Sequence, residues 1–203
     1  MFVWDVESRL PKVDQDDSNE AWEQYKAICG ISCAVTVPLQ DEGMRVYTDQ
    51  DEIPNDIESL RKDLIDAKFT VSYNGIKWDR VVVANTTGRP CPASNEIDLY
   101  RIIRLALGET KWEKGTWKLG TVCERTFGQG KIRSGASAPT LVAQGQWGTL
   151  IEYCYLDCLL TKRLFFHILK LGYVVAPYNR IIKVGGVLRS ELERVGASKT
   201  LSY

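Results

Sequence analysis

The hydrophobic period of this chain changes along its length, and that change limits the folds open to it. Short apolar runs of the strand type come first: Phe2 to Val6, Ala27 to Val37 and Met44 to Tyr47. Asp41-Glu42-Gly43, between the second and third runs, is a hairpin turn signal. Helical spacing then appears in Pro54 to Ala67, where Ile57, Leu60, Leu64 and Ile65 form a stripe behind a first turn holding Pro54 and acids. A fourth strand follows at Phe69 to Ser72 and ends at Tyr73-Asn74-Gly75. Residues 78–85 predict a short helix, broken by Gly88-Arg89-Pro90-Cys91-Pro92. Glu96 to Asp98 reads as a fifth short strand leading into a helix through Leu107. Leu119 to Phe127 predicts a helix stopped by Gly128, and Trp147 to Leu171 is the longest helical signal. Three strands, then a helix, a strand and further helices predict an α/β architecture, a mixed sheet covered by helices.

Three segments lie outside this pattern. Residues 9–26 are polar and acidic and read as a loop. Residues 128–146, rich in Gly, Ser, Ala and Gln, read as a mobile loop. Residues 172–203 are basic without clear periodicity, so the expected organisation is one domain over 1–171 and a basic C-terminal extension over 172–203.

Charge is segregated. Residues 1–66 hold 16 acids and 6 bases, whereas residues 101–203 hold 16 bases and 7 acids. An acidic first third suits cations and a basic second half suits a polyanion, although both also suit a solvated surface. No run approaches the ~20 apolar residues of a membrane span, and the N-terminus lacks a basic region followed by an apolar one. Six cysteines without a leader are expected to be free thiols of a reducing, cytoplasmic compartment. Cys29/Cys33 and Cys154/Cys158 have C-x3-C spacing, but they fall on apolar stretches and read as buried thiols rather than a zinc site.

Asp5 and Glu7 alternate on a strand, so both carboxylates point to one face. They would repel unless a cation lies between them, although a strand end with two solvated acids has the same sequence. Tyr153 and Asp157 share a helix face one turn apart, close to the apolar stripe. An inward carboxylate needs either a hydrogen-bond partner or a metal. Asp79 follows Asn74-Gly75-Ile76-Lys77-Trp78 just past a strand end, a favoured place for a site and also for an ordinary helix-start acid.

In order and spacing, Asp5-Val6-Glu7, Asn74 through Asp79, and Tyr153-x-x-x-Asp157 resemble the three motifs of the DEDD (DnaQ-like) 3′–5′ exonuclease superfamily. The resemblance spans residues 2 to about 170. It implies an RNase H-like fold, a mixed five-stranded sheet flanked by helices. One branch of that superfamily carries a His five residues before the last Asp; here that position is Glu152, and the single His is His167. Tyr153 fits the other branch, DEDDy, and leaves His167 as a surface or packing residue.

The resemblance further implies two divalent ions, Mg²⁺ or Mn²⁺, held by Asp5, Glu7, Asp79 and Asp157. Asp5 would bridge the ions and Tyr153 would orient the attacking water, making these five residues the expected catalytic set. Products would be nucleoside 5′-monophosphates. Asn74, Trp78 and Lys131 are the expected nucleic-acid contacts, with Trp78 equally able to pack in the core. The Lys111 to Arg133 stretch, with Trp112 and Trp117, would add cations and stacking surfaces or would be a solvated surface. The preferred substrate is single-stranded DNA. The competing readings are a 3′–5′ exoribonuclease and a nucleic-acid-binding or proofreading module acting with a polymerase or helicase partner.

Overall fold

The computed structural model describes residues 1–8, 29–48, 56–108, 116–131 and 138–197. Strand β1 (Phe2–Ser8) is the middle of a five-stranded sheet ordered β3-β2-β1-β4-β5. β2 (Ile31–Pro38) pairs antiparallel with β1, and β3 (Arg45–Thr48) antiparallel with β2. β4 (Thr70–Ser72) and β5 (Glu96–Asp98) complete the other side and run parallel to β1. The sheet is mixed and RNase H-like, as the sequence predicts.

A middle strand is covered on both faces, and β1 meets a core on each side. Trp4 and Val6 face helices α1 (Asp56–Asp66) and α2 (Asp79–Thr87), where they join Ile31, Tyr47, Leu60 and Val82 in one core. Val3 faces the opposite side and joins a second core with Val35, Val71, Leu150, Leu164 and Phe165. That side is covered by α3 (Leu99–Leu107), α4 (Leu119–Phe127), α5 (Ala138–Ala143) and the long α6 (Trp147–Leu171). α6 packs directly on β1 and β2.

The sheet is tied to α2 by a buried polar knot. Arg80 Nε donates to Glu96 Oε2 at 2.7 Å, Trp4 Nε1 donates to Glu96 Oε1 at 2.9 Å, and Arg80 Nη2 donates to Thr70 Oγ1 at 2.9 Å. The charged pair is almost fully removed from water, 2% and 0% exposed, and is tolerable because each charge is bonded.

One segment differs from the sequence reading, and a second takes a structure that the sequence leaves unassigned. Residues 138–143, expected to be loop, form α5, because Ala138 and Leu141 are buried against the α6 side of the sheet. Residues 172–197 form a hairpin of β6 (Tyr173–Val175) and β7 (Ile181–Lys183), followed by α7 (Gly185–Arg194). Val174, Ile182, Leu188 and Leu192 bury into the same core as α6. A helix of six residues and strands of three give too few repeats for a period to show.

The six cysteines are free and buried, as the apolar setting of their motifs suggested. His167 packs edge-on to Tyr173 at 4.9 Å between ring centres and beside Phe127 at 5.8 Å, a packing residue as expected. Among the described residues, no helix is long and apolar enough to cross a membrane. The acidic segment 9–26, and Lys111, Trp112, Lys114 and Arg133, lie outside the described residues.

Candidate active site

β1 carries Val3, Asp5 and Glu7 on the face that α6 covers. Opposite Glu7, the strand pairs with Cys33, and the register shifts immediately after it, between Glu7 and Ser8. Such irregularities re-aim side chains at the rims of sheets. From α6, Tyr153 and Asp157 reach the same place one turn apart, 4% and 3% exposed. Ligand oxygens of Asp5, Glu7 and Asp157 all lie within 4.8 Å of one another.

Cys154 lies in the turn between Tyr153 and Asp157 and fixes α6 to the strand. Its thiol donates to the Asp5 carbonyl at 3.3 Å and lies 3.7 Å from Asp5 Oδ2. Burial holds the Cys154 thiol well above its ordinary pKa, so it serves here as a small apolar contact rather than a reactive thiolate.

Three carboxylates this close repel one another. Burial raises the Glu7 pKa well above the usual carboxylate value, and the charges of Asp5 and Asp157 raise it further. Among the described residues, Lys131 supplies a counter-charge. Its ammonium is bonded to Asp157 Oδ2, donates to Tyr153 Oη at 3.1 Å, and lies 5.3 Å from the centre of the Tyr153 ring. Burial alone would lower the Lys131 pKa, but Asp157, Asp5 and Tyr153 outweigh it and keep the ammonium charged. Burial likewise raises Tyr153, so it stays a neutral phenol.

Lys131 is held in place by an absence of side chain. A Cβ at Gly120 on α4 would come within 2.8 Å of Lys131 Cγ and 3.0 Å of its backbone nitrogen. Gly120 does not stand out in the sequence, and Cys154 shows there only as a buried thiol, because their contacts join segments far apart in the chain. A cavity of about 360 Å³ opens beside this group, lined by Lys131, Tyr153 and Asp157 and by Leu156, Leu160 and Arg163.

Asp79 is placed differently. It starts α2, is 3% exposed, and is not one of the three close carboxylates. Its charge nevertheless acts on the Cys158 thiol, which also feels Asp5 and Asp157. The turn before it is tightly specified. A Cβ on Gly75 would come within 2.3 Å of Ser72 Oγ, so only glycine fits. Asn74 adopts a left-handed backbone, φ 70°, and its N–H donates to Asp98 Oδ1 at 2.8 Å. Asp98 also takes the N–H groups of Ile76, Tyr100 and Arg101, so it caps α3 and fixes the turn leading to Asp79. The sequence reading saw Asp98 only as a strand residue; an Asp just before an apolar helix was the missed signal.

Trp78 is half-buried and packs against the α1–α2 core. Trp117 is 5% exposed within the α6-side core, so it offers no stacking surface, contrary to expectation. Its carbonyl takes the Tyr73 hydroxyl.

The residues present suit a hard divalent cation. The close donors are all carboxylate oxygens, and the chain has placed a cation of its own against them. The sequence matches no protein-family model and no curated protein. Its fold resembles that of the family B DNA polymerase from the hyperthermophilic archaeon Pyrobaculum calidifontis, with a TM-score of 0.60 over 83% of this chain at 15% identity. The likeness is one of fold. The chain spans about a quarter of that polymerase, 24% of its length.

Proposed function

We propose that this chain is a divalent-metal-dependent 3′–5′ exonuclease of the DEDDy type, acting on single-stranded DNA. The observation that carries the reading is the convergence of Asp5, Glu7 and Asp157 from β1 and α6. Tyr153 stands one turn from Asp157 and shares its lysine. The motif resemblance supports the same reading. A polymerase neighbour in fold supports the narrower idea of a proofreading domain that serves a polymerase.

Asp5, Glu7 and Asp157 would hold one ion and Asp79 would support a second; when bound, such ions activate a water near neutral pH and stabilise the leaving 3′ oxygen. The chain's own groups do the rest. The Tyr153 oxygen accepts from Lys131, which leaves its phenol hydrogen to orient a water. A phenol with a raised pKa positions that water rather than deprotonating it. Lys131 has a third N–H beyond those given to Asp157 and Tyr153, and this hydrogen can meet a phosphate oxygen of the strand. Leu156 and Leu160 line the adjoining cavity and offer an apolar wall to the terminal nucleoside.

The test is product analysis. Single-stranded DNA and RNA of equal length are incubated with the protein and Mg²⁺ or Mn²⁺, and the released material is separated by chromatography. Deoxynucleoside 5′-monophosphates are expected. Ribonucleoside 5′-monophosphates alone would reassign the substrate to RNA. Nucleoside 3′-monophosphates or internal fragments would contradict the reaction.

A further inference from the structure

The acid site lies at the carboxyl-terminal half of β1. β4 and β5 run parallel to β1 on consecutive positions of the sheet, so their carboxyl ends open on the same edge. Open α/β sheets bind ligands along that edge. A second cavity, about 310 Å³, lies there, between the turn after β4 and α3. It is lined by three cations, Lys77, Arg101 and Arg104, and by Tyr100 and Leu105. Asn74 also lines it, and the same turn runs on to Asp79.

Among the described residues that line this cavity, cations outnumber carboxylates three to one. Asp98 is the one carboxylate among the described residues that line it, and its oxygens already accept four backbone N–H groups. Arg101 is bonded to Glu191 at 3.0 Å, but Glu191 also takes Arg194 at 2.8 Å, so one carboxylate serves two guanidinium groups. Lys77 and Arg104 are exposed, and Leu105, 52% exposed, stands among the cations. Cations beside apolar and aromatic surface are what a single strand needs, the first for phosphates and the second for bases.

We propose that this cavity is a second binding point for the substrate strand. Lys77 and Arg104 take backbone phosphates upstream of the 3′ end while the terminal phosphodiester occupies the acid site. The inference rests on the exonuclease reading and adds the path by which the strand arrives.

The test is strand binding by fluorescence anisotropy. A labelled oligodeoxythymidylate is titrated with the full chain carrying Asp5→Ala, which stops cleavage, over a series of salt concentrations. Lys77→Glu and Arg104→Glu are added singly and together. Lys170→Glu, an exposed cation near the end of α6, is the control for net charge. The double variant is expected to weaken binding about tenfold or more. The slope of log K against log salt should fall by about 0.7 for each phosphate deprived of its cation. The control should bind like its parent. Equal binding by double variant and parent would overturn this proposal, as would an equal weakening in the Lys170→Glu control. Absence of salt-dependent strand binding in the parent, together with no cleavage by the wild-type chain, would instead remove the exonuclease reading itself.

Discussion

Lys131 holds Asp157. The ammonium, carried on the segment that follows α4, is bonded to a buried carboxylate of α6, and it reaches Tyr153 Oη at 3.1 Å. One cation thus joins the carboxylate that would bind metal to the phenol that would orient water.

Replacing that lysine separates its two roles. Lys131→Met leaves the Asp157 charge beside Asp5 and Glu7 without its ammonium. Stability in the presence of a chelator is expected to fall by about 1.5–3 kcal/mol, the range for a hydrogen bond to a charged group. Added Mn²⁺ should restore part of that loss, because it supplies the missing positive charge. Cleavage should fall about a hundredfold. Urea unfolding with EDTA and with Mn²⁺ reads the first effect. A loss of stability that Mn²⁺ leaves unchanged would contradict it.

Gly120→Ala tests the same ion pair from the other side. The new methyl would press on Lys131 at 2.8–3.0 Å. The expected outcome is a loss of about 1–3 kcal/mol from overpacking. Activity should fall with the displacement of Lys131, while far-UV circular dichroism is unchanged. Wild-type cleavage by this variant would show that Lys131 need not be held where the structure places it.

Glu7 sets the pH dependence. Its folded pKa lies well above 4.5, the ordinary value, chiefly because it is buried. The folded protein therefore binds more protons than the unfolded chain between 4.5 and the raised value. Through Glu7, metal-free stability should rise as pH falls across that window. Divalent-cation affinity should fall across the same window, because the ion needs the carboxylate ionised. Glu7→Gln should flatten the metal-free dependence. Urea unfolding in EDTA over a pH series compares the two proteins. Identical slopes would exclude Glu7 as the group responsible.

Much of this was legible in the sequence, for a physical reason that also marks the limit. α4 and α6 have the predicted boundaries, because each carries an apolar stripe long enough to show its period and ends at a glycine. The five strands appear where the sequence predicts them, four of them on apolar runs, and Asp5, Glu7 and Asp157 meet because their local spacings place each on a definite face. What escaped reading depends on contacts between distant segments. Nothing near Gly120 reveals that Lys131 lies against it. Nothing near Trp117 shows that it is buried rather than displayed. Asp98 looked like a strand residue until its bonds to the Asn74 turn were visible. The hairpin strands after Leu171 are too short to carry a period, the helix behind them opens on two glycines and has few apolar positions, and both are stabilised by the shared core.

The Arg80–Glu96 pair is a matter of stability, not chemistry. Glu96→Ala would leave the buried Arg80 guanidinium without its carboxylate, together with an unmet Trp4 indole N–H. A loss of about 3–5 kcal/mol is expected, the range for breaking a buried pair from one side. Chemical denaturation measures it. A loss below about 1 kcal/mol, the range of exposed pairs, would mean that the pair is not buried as described.

Asp5, Glu7 and Asp157 are proposed to form a hydrolytic centre for a strand's 3′ end. A 5′-labelled single-stranded DNA incubated with Mg²⁺ tests it most directly, with wild-type protein beside an Asp5→Ala variant of matching circular dichroism. The account predicts a ladder that shortens from the 3′ end with the wild type, and an intact strand with the variant. An equal ladder from both proteins, or an intact strand with both, would contradict it.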